Sequence, residues 1–319
     1  MLASSLPKVS ILIPCYNSEN CVEVAIESAL EQSYARKEII VVDDGSNDDS
    51  LKRIKKFGDW IYWETRTNHG SNLTRNRLLE LSTGQWLQYL DADDYLLPDK
   101  LEKQVHFLKK NGPFDVIFSP VIIEHFEKDR RTRNNFYESE GLFDPWVRLA
   151  EWRLPQTAGA LWHKKSLSQI GGWSTNFSSC QEYELYLRSL KAGQQFGYYA
   201  EPLSVYCQWS HNTLSKKSLT NTYRNRLHIL DDLENHLKYL NNLTPQRQYA
   251  INRARFECAR MVWLFDSQWA SRIIKRIKIS QTGFVPLQDR VPQLYRILFK
   301  LAGFSTAETV AALKRKFFL

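Results

Sequence analysis

Three carboxylates stand within four residues at Asp91-Ala92-Asp93-Asp94, directly after an apolar run. Carboxylates this close repel one another unless a cation or hydrogen-bond donors compensate their charge. Oxygen ligands suit Mg²⁺ or Mn²⁺, which take one or two carboxylates and complete their shell with waters and substrate phosphates. The cluster, a DxD motif, therefore predicts a Mn²⁺ or Mg²⁺ site, with a solvated acidic turn as the alternative.

A second acidic loop, Asp43-Asp44-Gly45-Ser46, follows another apolar run. An Asp-Gly turn is common between elements, so this loop does not indicate a metal site by itself. Two carboxylate-bearing loops on one crevice can, however, divide the work on a nucleotide. One would hold the base or ribose, and the other would hold a metal-bound diphosphate.

The elements that must position these acids alternate along the first 110 residues. Apolar runs predict strands, and apolar residues spaced by three and four predict helices. Strands are predicted at 9–14, 38–42, 60–65 and 85–90, and helices at 21–32, 49–57, 72–81 and from Pro98 to about 110. This alternation predicts an α/β fold with parallel strands, in which ligands bind beyond the carboxyl ends of the strands. Both acid clusters fall at such ends.

The rest of the chain divides by charge. Strands are predicted near 115–123, 134–138 and 158–162, helices at 145–151 and 182–192, and helices again from 223 onward. Residues 221–319 hold 17 Lys+Arg against 7 Asp+Glu, whereas residues 1–220 hold 26 against 28. We therefore predict a catalytic domain over 1–220 and a basic helical C-terminal region over 221–319, whose partner should be anionic.

Composition excludes several other classes of protein. Five scattered cysteines, an odd number without paired spacing, argue against a disulfide framework and indicate a reducing compartment. The N-terminus lacks the pattern of a signal peptide, and no uncharged run reaches the ~20 residues of a membrane span. We expect a cytoplasmic protein. Nucleic acid is not an expected partner, because the basic residues of the C-terminal region come with aliphatic neighbours rather than a nucleic-acid-binding fold.

Four strings in the first hundred residues together resemble the inverting family 2 glycosyltransferases, which have the nucleotide-diphospho-sugar (GT-A) fold. They are Val9 to Asn17, Ile39 to Ser46, Asn68-His69-Gly70 with Thr74-Arg75-Asn76, and Gly84 to Asp94. The resemblance extends to about residue 215. It implies a Rossmann-like three-layer sandwich with a mostly parallel central sheet, followed here by the basic helical C-terminal extension.

The resemblance also implies roles for individual residues. Asp93 would be the metal ligand, and Asp94 would support its loop. The nucleotide sugar would be bound by Pro14, Tyr16, Asp43, Asp44, Arg75 and Asp91. The donor would be a nucleotide-diphospho-sugar, with a UDP-sugar favoured, and the acceptor would be a hydroxyl group of a glycan or glycolipid.

The general base of the family is usually the Asp of a Glu-Asp pair that opens a helix. This chain has Gln181-Glu182 there, so Glu182, one methylene longer, is the predicted catalytic base. The alternative is an exposed glutamate that stabilises a helix start.

The second departure from the family concerns a histidine that can join the metal shell. Trp209 occupies its register, and His211, two residues further on, could replace it if the loop shifts by two residues. The alternative is a surface histidine that takes no part in the site. Trp209 could stack on a sugar instead, because aromatic rings offer apolar area.

These features favour a metal-dependent inverting glycosyltransferase of polysaccharide, glycolipid or other glycoconjugate synthesis. The alternative is a non-catalytic nucleotide-sugar binding protein with a decayed active site. A nucleotidyltransferase fits less well, because Pro14 to Ser18 lacks a glycine-rich basic loop. For the C-terminal region two interpretations stay open: a peripheral helix on the anionic inner face of a membrane, and a packing module with solvated charges.

Overall fold

A computed structural model describes residues 6–127, 130–135, 144–209, 218–287 and 291–317. The chain separates into two compact units. Unit 1 spans Met1–Leu142 and Pro155–Thr213, and unit 2 spans Phe143–Leu154 and Leu214–Leu319. Segment 143–154 therefore groups with the C-terminal residues. The functional division proposed at residue 220 stays a prediction.

The strands of the described residues all belong to unit 1. In chain order they are β1 (Val9–Cys15), β2 (Lys37–Asp43), β3 (Tyr62–Thr65), β4 (Trp86–Tyr89), β5 (Tyr95–Leu96), β6 (Val116–Phe118), β7 (Ile122–Glu127), β8 (Arg130–Asn135), β9 (Ala160–His163), β10 (Phe196–Tyr198) and β11 (Ser204–Trp209). Its helices are α1 (Val22–Leu30), α2 (Ser50–Lys55), α3 (Ser71–Leu81), α4 (Lys100–Asn111), α6 (Lys164–Gln169) and α7 (Gln181–Lys191). One further helix, α5 (Pro145–Ala150), belongs to unit 2.

The main sheet has seven strands in the order β10-β6-β9-β4-β1-β2-β3. Strands β1 to β4 pair in parallel, as do β6 and β10. Only β9 runs against its neighbours, β4 and β6. The predicted α/β fold with a mostly parallel central sheet is confirmed.

The crossovers place helices on both faces of this sheet. The connections through α1 and α2 step from β1 to β2 to β3, whereas the connection through α3 returns to β4 on the other side of β1. Because such crossovers are right-handed, the reversal sends α3 to the opposite face. It also creates a switch point between β1 and β4, where ligands bind in sheets of this type.

The core explains why these segments become strands and helices. The central residues of β1, Ile11, Leu12 and Ile13, are fully buried, which is typical of a parallel strand covered on both faces. Helix α1 buries residues spaced by three and four, Val22, Ala25, Ile26 and Ala29, in the same core cluster. The predicted amphipathic helix is thereby confirmed.

A smaller sheet, of order β5-β11-β7-β8, corrects the predicted strands beyond residue 110. The single strand expected at 115–123 is two strands in different sheets, β6 and β7. Pro120, which cannot donate a ladder hydrogen bond, lies between them. Strand β8 begins at Arg130 rather than 134, and residues 136–138 lie outside the described residues. Strands β5 and β10 are too short for periodicity to reveal.

Unit 2 is helical in its described part, as predicted for the C-terminal extension. Besides α5 it contains α8 (Leu219–Tyr239), α9 (Pro245–Val262), α10 (Ser267–Ser280) and α11 (Gln293–Phe317). Helix α11 is broken at Gly303, where φ is 84°. The core gathers aromatic rings around Phe256, including Phe284 and Phe299. Among the helices that the structure describes, none is both long and apolar enough to span a bilayer.

Candidate active site

The first acidic loop is held by hydrogen bonds within the protein. Asp43, the last residue of β2, accepts from Thr65 Oγ1 at 2.7 Å, and its side chain is buried. Asp44 is also buried and accepts from Gly70 N at 2.8 Å and from Arg66 Nε at 3.0 Å. These contacts join the end of β2 to the turn that precedes α3.

Gly45 makes that close approach possible. Its φ is +73°, and an added Cβ would lie 2.9 Å from Arg66 O and from Asn68 N. A side chain at this position would therefore meet backbone atoms that cannot give way, in a conformation that L-residues rarely adopt. The glycine is required for the two loops to pack together.

Pro14 and Tyr16 lie next to this loop. Pro14 is opposite Val42 in the register of β1 and β2, and Tyr16, just beyond β1, is 47% exposed. Asn17 N donates to Ser46 Oγ at 2.9 Å, which ties the two loops together. The structure thus brings Pro14, Tyr16, Asp43 and Asp44 to one end of adjacent strands. Their contact with a nucleotide stays a prediction.

The second acidic loop, after β4, holds three carboxylates in different environments. Asp91 Oδ1 accepts from Arg75 Nη2 at 2.7 Å. Asp94 is buried, and its Oδ1 accepts from Cys207 N of β11 at 2.9 Å, a contact suited to a residue that supports the loop. Asp93 is exposed.

The pKa values of Asp93 and Asp94 are raised, chiefly by desolvation and then by the neighbouring carboxylates. Desolvation by the surrounding protein, with the charge of Asp91 added, raises the pKa of Asp93 to about 6. Burial, together with the charges of Asp93 and Asp91, raises the pKa of Asp94 well above its usual value. A bound cation would favour the ionised forms and reverse both shifts.

Arg75 connects this loop to the start of α7. Its Nη1 donates to Gln181 Oε1 at 3.0 Å, and its guanidinium carbon lies 4.7 Å from the ring centroid of Trp173. Burial lowers the pKa of Arg75, but the charges of Asp91 and Glu182 outweigh burial and raise it. Arg75 thus contacts Asp91, Gln181 and Trp173, and its contact with the nucleotide remains a prediction.

Helix α3 also positions the loop before α7. Asn76 forms two hydrogen bonds of 2.8 Å with the backbone of Trp173, and Asn72 Nδ2 donates to Phe177 O at 3.0 Å. Gly172 has a φ of +66°, and a Cβ there would lie 2.6 Å from Asn76 Oδ1. The loop is consequently fixed on the helix that carries Arg75.

Glu182, the predicted base, is the second residue of α7. Its Oε1 accepts from Thr157 Oγ1 at 3.1 Å. Thr157 lies in a short 3₁₀ turn, Thr157–Gly159, that leads into β9. Sequence reasoning did not select Thr157, because only the insertion of β9 between β4 and β6 brings this turn to the site.

Tyr206 on β11 is a further residue that was not selected. Burial, together with the charges of Asp94, Asp93 and Asp91, raises its pKa to about 12. Tyr206 precedes Cys207, whose backbone N donates to Asp94 Oδ1, so this part of β11 passes beside the acid cluster. Tyr206 lies three residues before Trp209, so the register used for Trp209 was the sequence signal that could have identified it.

The two remaining candidates cannot be placed by their side chains. Trp209 ends β11, and its backbone pairs with Phe126 of β7. Its side chain is outside the described part of the structure, and His211 lies outside the described residues altogether.

The acid cluster suits a metal that shares its shell with a substrate. Within the described ranges, no group of three or more His, Cys, Asp or Glu could hold a metal ion by itself. Asp93 is exposed, whereas Asp91 and Asp94 already accept hydrogen bonds from protein groups. This arrangement fits Mg²⁺ or Mn²⁺ bound through one or two carboxylates with phosphate oxygens and waters completing the shell.

A mostly parallel sheet with acidic loops beyond β2 and β4 defines the GT-A class of fold, and solved structures agree. The crystal structure of S. aureus TarS 1-349 in complex with UDP-GlcNAc matches with a TM-score of 0.60 and 14% identity, over 97% of this chain and 92% of that one. The mannosyltransferase PcManGT from Pyrobaculum calidifontis, in complex with GDP-Man and Mn²⁺, matches with a TM-score of 0.50 and 15% identity, over 97% and 88%. At such identities the likeness is one of fold.

Residues 10–172, half of the chain, match the model of glycosyl transferase family 2, and the chain belongs to that family. An uncharacterized glycosyltransferase of Haemophilus influenzae is 26% identical over 76% of this chain and 81% of its own length. The Escherichia coli UDP-Glc:alpha-D-GlcNAc-diphosphoundecaprenol beta-1,3-glucosyltransferase WfaP is 36% identical over 33% of this chain and 43% of its own length. Relatives of 39–40% identity are matched over only 35–44% of their length.

Proposed function

We propose that this protein is a metal-dependent inverting glycosyltransferase. The observation that carries the proposal is the bridge made by Arg75, which bonds Asp91 at 2.7 Å and Gln181 at 3.0 Å. Gln181 immediately precedes Glu182, so the side chain of Arg75 links Asp91 of the second acidic loop to the residue next to the candidate base. A transferase that joins a donor and an acceptor in one step needs both groups at one site.

In the proposed reaction Glu182 accepts the proton of the acceptor hydroxyl. The hydroxyl oxygen forms a bond to the anomeric carbon while the bond from that carbon to the diphosphate oxygen breaks on the opposite face, which inverts the configuration. The electron pair leaves with the diphosphate. Mn²⁺ or Mg²⁺, held by Asp93, would supply charge neutralisation for the leaving group.

The donor we favour is a UDP-sugar, and the acceptor is a hydroxyl of a lipid-linked glycan. The names of two similar proteins support this choice: WfaP is described as using UDP-Glc and a diphosphoundecaprenol-linked sugar, and TarS was solved with UDP-GlcNAc. A role in polysaccharide, glycolipid or other glycoconjugate synthesis follows from such an acceptor.

A differential thermal shift screen of nucleotide sugars with and without Mn²⁺ tests the donor site, because a ligand that binds only the folded state raises its apparent stability. The Glu182→Gln variant then tests the base. We expect turnover of the selected donor to fall by about 10³-fold, within the range for loss of general base catalysis. Nucleotide binding should change by less than about twofold.

Exposed Glu31, on the turn after α1, provides the matched control, and Glu31→Gln should keep full turnover. Normal turnover in Glu182→Gln would remove Glu182 from the base role. Tight nucleotide binding by the wild type, without transfer or hydrolysis of any donor in the screen, would instead favour a non-catalytic binding protein.

We further propose that unit 2 associates peripherally with an anionic membrane surface. Residues 143–154 and 214–319 hold 21 Lys+Arg against 9 Asp+Glu. Three isoleucines of the basic helix α10, Ile273, Ile274 and Ile277, pack into the core and are not available to lipid, whereas Ile279 near its end is 75% exposed. Helix α11 does offer an outward apolar stripe, with Leu294 46%, Ile297 45% and Leu301 83% exposed. Apolar residues combined with basic charge favour anionic lipid.

Sedimentation with vesicles tests this surface on the full chain. Vesicles that contain phosphatidylglycerol should bind the protein, and vesicles of pure phosphatidylcholine should not. Leu301→Asp should weaken binding by about tenfold, whereas Val24→Asp, at a 50% exposed residue of unit 1, should not. Equal vesicle binding by Leu301→Asp and Val24→Asp would contradict the proposal that α11 contacts the membrane.

A further inference from the structure

We propose that Thr157 is a positioning residue whose hydroxyl orients the carboxylate of Glu182 for proton transfer. The proposal rests on the base role proposed for Glu182. It assigns to Thr157 no contact with substrate, only an effect through Glu182.

The fold brings Thr157 to this site through the antiparallel strand β9. Because β9 runs against β4, its beginning lies where β4 ends. Gln88 of β4 donates from Nε2 to Ala158 O at 3.1 Å, which fixes the turn beside the strand that leads to Asp91. Thr157 is itself buried, so its hydroxyl has a defined environment.

The backbone of Glu182 is fixed independently of Thr157. The neighbouring side chain of Gln181 accepts from Arg75 Nη1 at 3.0 Å and donates to Ser71 Oγ at 2.9 Å. The start of α7 is thus held by two contacts to α3. What these contacts leave undetermined is the direction of the long Glu182 side chain.

A glutamate side chain has three rotatable bonds, and ordering it costs conformational entropy. The 3.1 Å hydrogen bond from Thr157 restricts those bonds by holding Oε1. Within the described part of the chain, Glu182 Oε2 accepts no protein hydrogen bond. One oxygen is therefore held and the other is left to accept a proton.

The experiment removes the hydroxyl and then restores it. The donor is whichever of UDP-glucose, UDP-GlcNAc and GDP-mannose the wild-type protein hydrolyses fastest with Mn²⁺, with water as acceptor. Thr157→Val should lower kcat by about tenfold, and Thr157→Ser should restore it to within about threefold of the wild type. The KM for the donor and the thermal shift with the nucleotide should not change.

Thr83→Val is the matched control. Thr83 Oγ1 also donates to a glutamate, Glu38, at 2.8 Å, but at the opposite edge of the sheet. Its loss should leave kcat unchanged. A similar fall in kcat for the two valine variants would mean that Thr157 acts through general stability.

A double-mutant cycle isolates the action through Glu182. In Glu182→Asp the carboxyl is withdrawn by one carbon–carbon bond, about 1.5 Å, and should no longer reach Thr157. Adding Thr157→Val to that variant should then change kcat by less than about twofold. A full tenfold loss in both backgrounds would overturn the proposal. Failure of the wild type to hydrolyse any of the donors would instead count against the proposed transferase function, and the role of Thr157 would fall with it.

Discussion

The two edges of the main sheet hold carboxylates in opposite electrostatic settings. At the edge where the parallel strands begin, Glu38 accepts from Lys8 Nζ at 2.7 Å and from Thr83 N at 2.7 Å. Burial acts to raise its pKa, but hydrogen bonds from Lys8, Ser10 and Thr83 outweigh it and lower the pKa to about 2. At the other edge, the pKa of Asp93 is raised to about 6.

The difference separates a carboxylate whose charge is compensated by protein donors from one whose charge is not. Glu38 is fully supplied with donors, and its contacts join the segments that precede β1 and β4 to β2. Asp93 has neighbours of its own charge and an exposed side chain. Isosteric amide substitutions at the two positions should therefore have opposite effects on activity and stability.

Asp93→Asn should have the largest effect. Turnover with Mn²⁺ should fall by about 10³-fold, because an amide binds a divalent cation far more weakly than a carboxylate and leaves the diphosphate charge unbalanced. The metal-free protein should be no less stable than the wild type, since a repulsive charge has been removed. Steady-state kinetics over a range of Mn²⁺ concentrations, together with thermal unfolding, measure the two effects. Retained turnover would exclude Asp93 as the metal ligand.

Glu38→Gln should show the reverse pattern. The free energy of unfolding should fall by about 2 kcal/mol, because several hydrogen bonds to a charged acceptor are weakened or lost. Turnover should stay within about twofold, since the residue lies at the far edge of the sheet. Urea denaturation and a donor hydrolysis assay provide the measurements. A loss of turnover in Glu38→Gln without a loss of stability would contradict the proposed difference between Glu38 and Asp93.

The pH dependence of Mn²⁺ binding should give a smaller effect. With a pKa of about 6 in the folded protein, Asp93 is mostly protonated at pH 5, so Mn²⁺ should bind about tenfold more weakly there than at pH 7.5. Titration calorimetry at the two pH values measures the ratio. In Asp93→Asn the contribution of Asp93 to the pH dependence of Mn²⁺ affinity should disappear. A wild-type affinity for Mn²⁺ that does not vary with pH would contradict the prediction.

The same groups should shape stability in the absence of metal. In the folded protein the pKa of Asp93 is above the ordinary value of 3.8. The contribution of Asp93 to the free energy of unfolding therefore falls as pH rises from about 4 to 6. For Glu38 the folded pKa is lower than 4.5, so its contribution is present above that pH and is lost as pH falls toward 2.

Local patterns were sufficient to predict the half of the fold that carries the two acidic loops. Strands β1 and β2 and helix α1 lie close to their predicted bounds. Burial on one or both faces of an element determines which of its positions are apolar, and the spacing of those positions can be read from the sequence. The positions of both acidic loops at strand ends followed from the same reasoning. Short strands such as β5 and β10 leave too few residues for any period to appear.

The contacts that assemble the site were beyond prediction for a different reason. Arg75 and Gln181 are 106 residues apart, and Asp94 and Cys207 are 113 apart. A periodic pattern reports which face of an element is buried, but not which distant element covers it. Thr157 is an example, since its position beside Glu182 depends on where β9 enters the sheet.

The position of β9 also has a consequence for how the chain folds. Trp86 of β4 pairs with His163 of β9, so a long stretch of chain must close before this pair forms, whereas β1 and β2 are joined by one short crossover. Loop closure of this kind costs entropy before any contact compensates for it. We expect β1 and β2 to gain protection from hydrogen exchange earlier than β9 during refolding. A newly made chain would then form the ends of β1 and β2, with the loop proposed to bind the nucleotide, before the turn that carries Thr157 is in place.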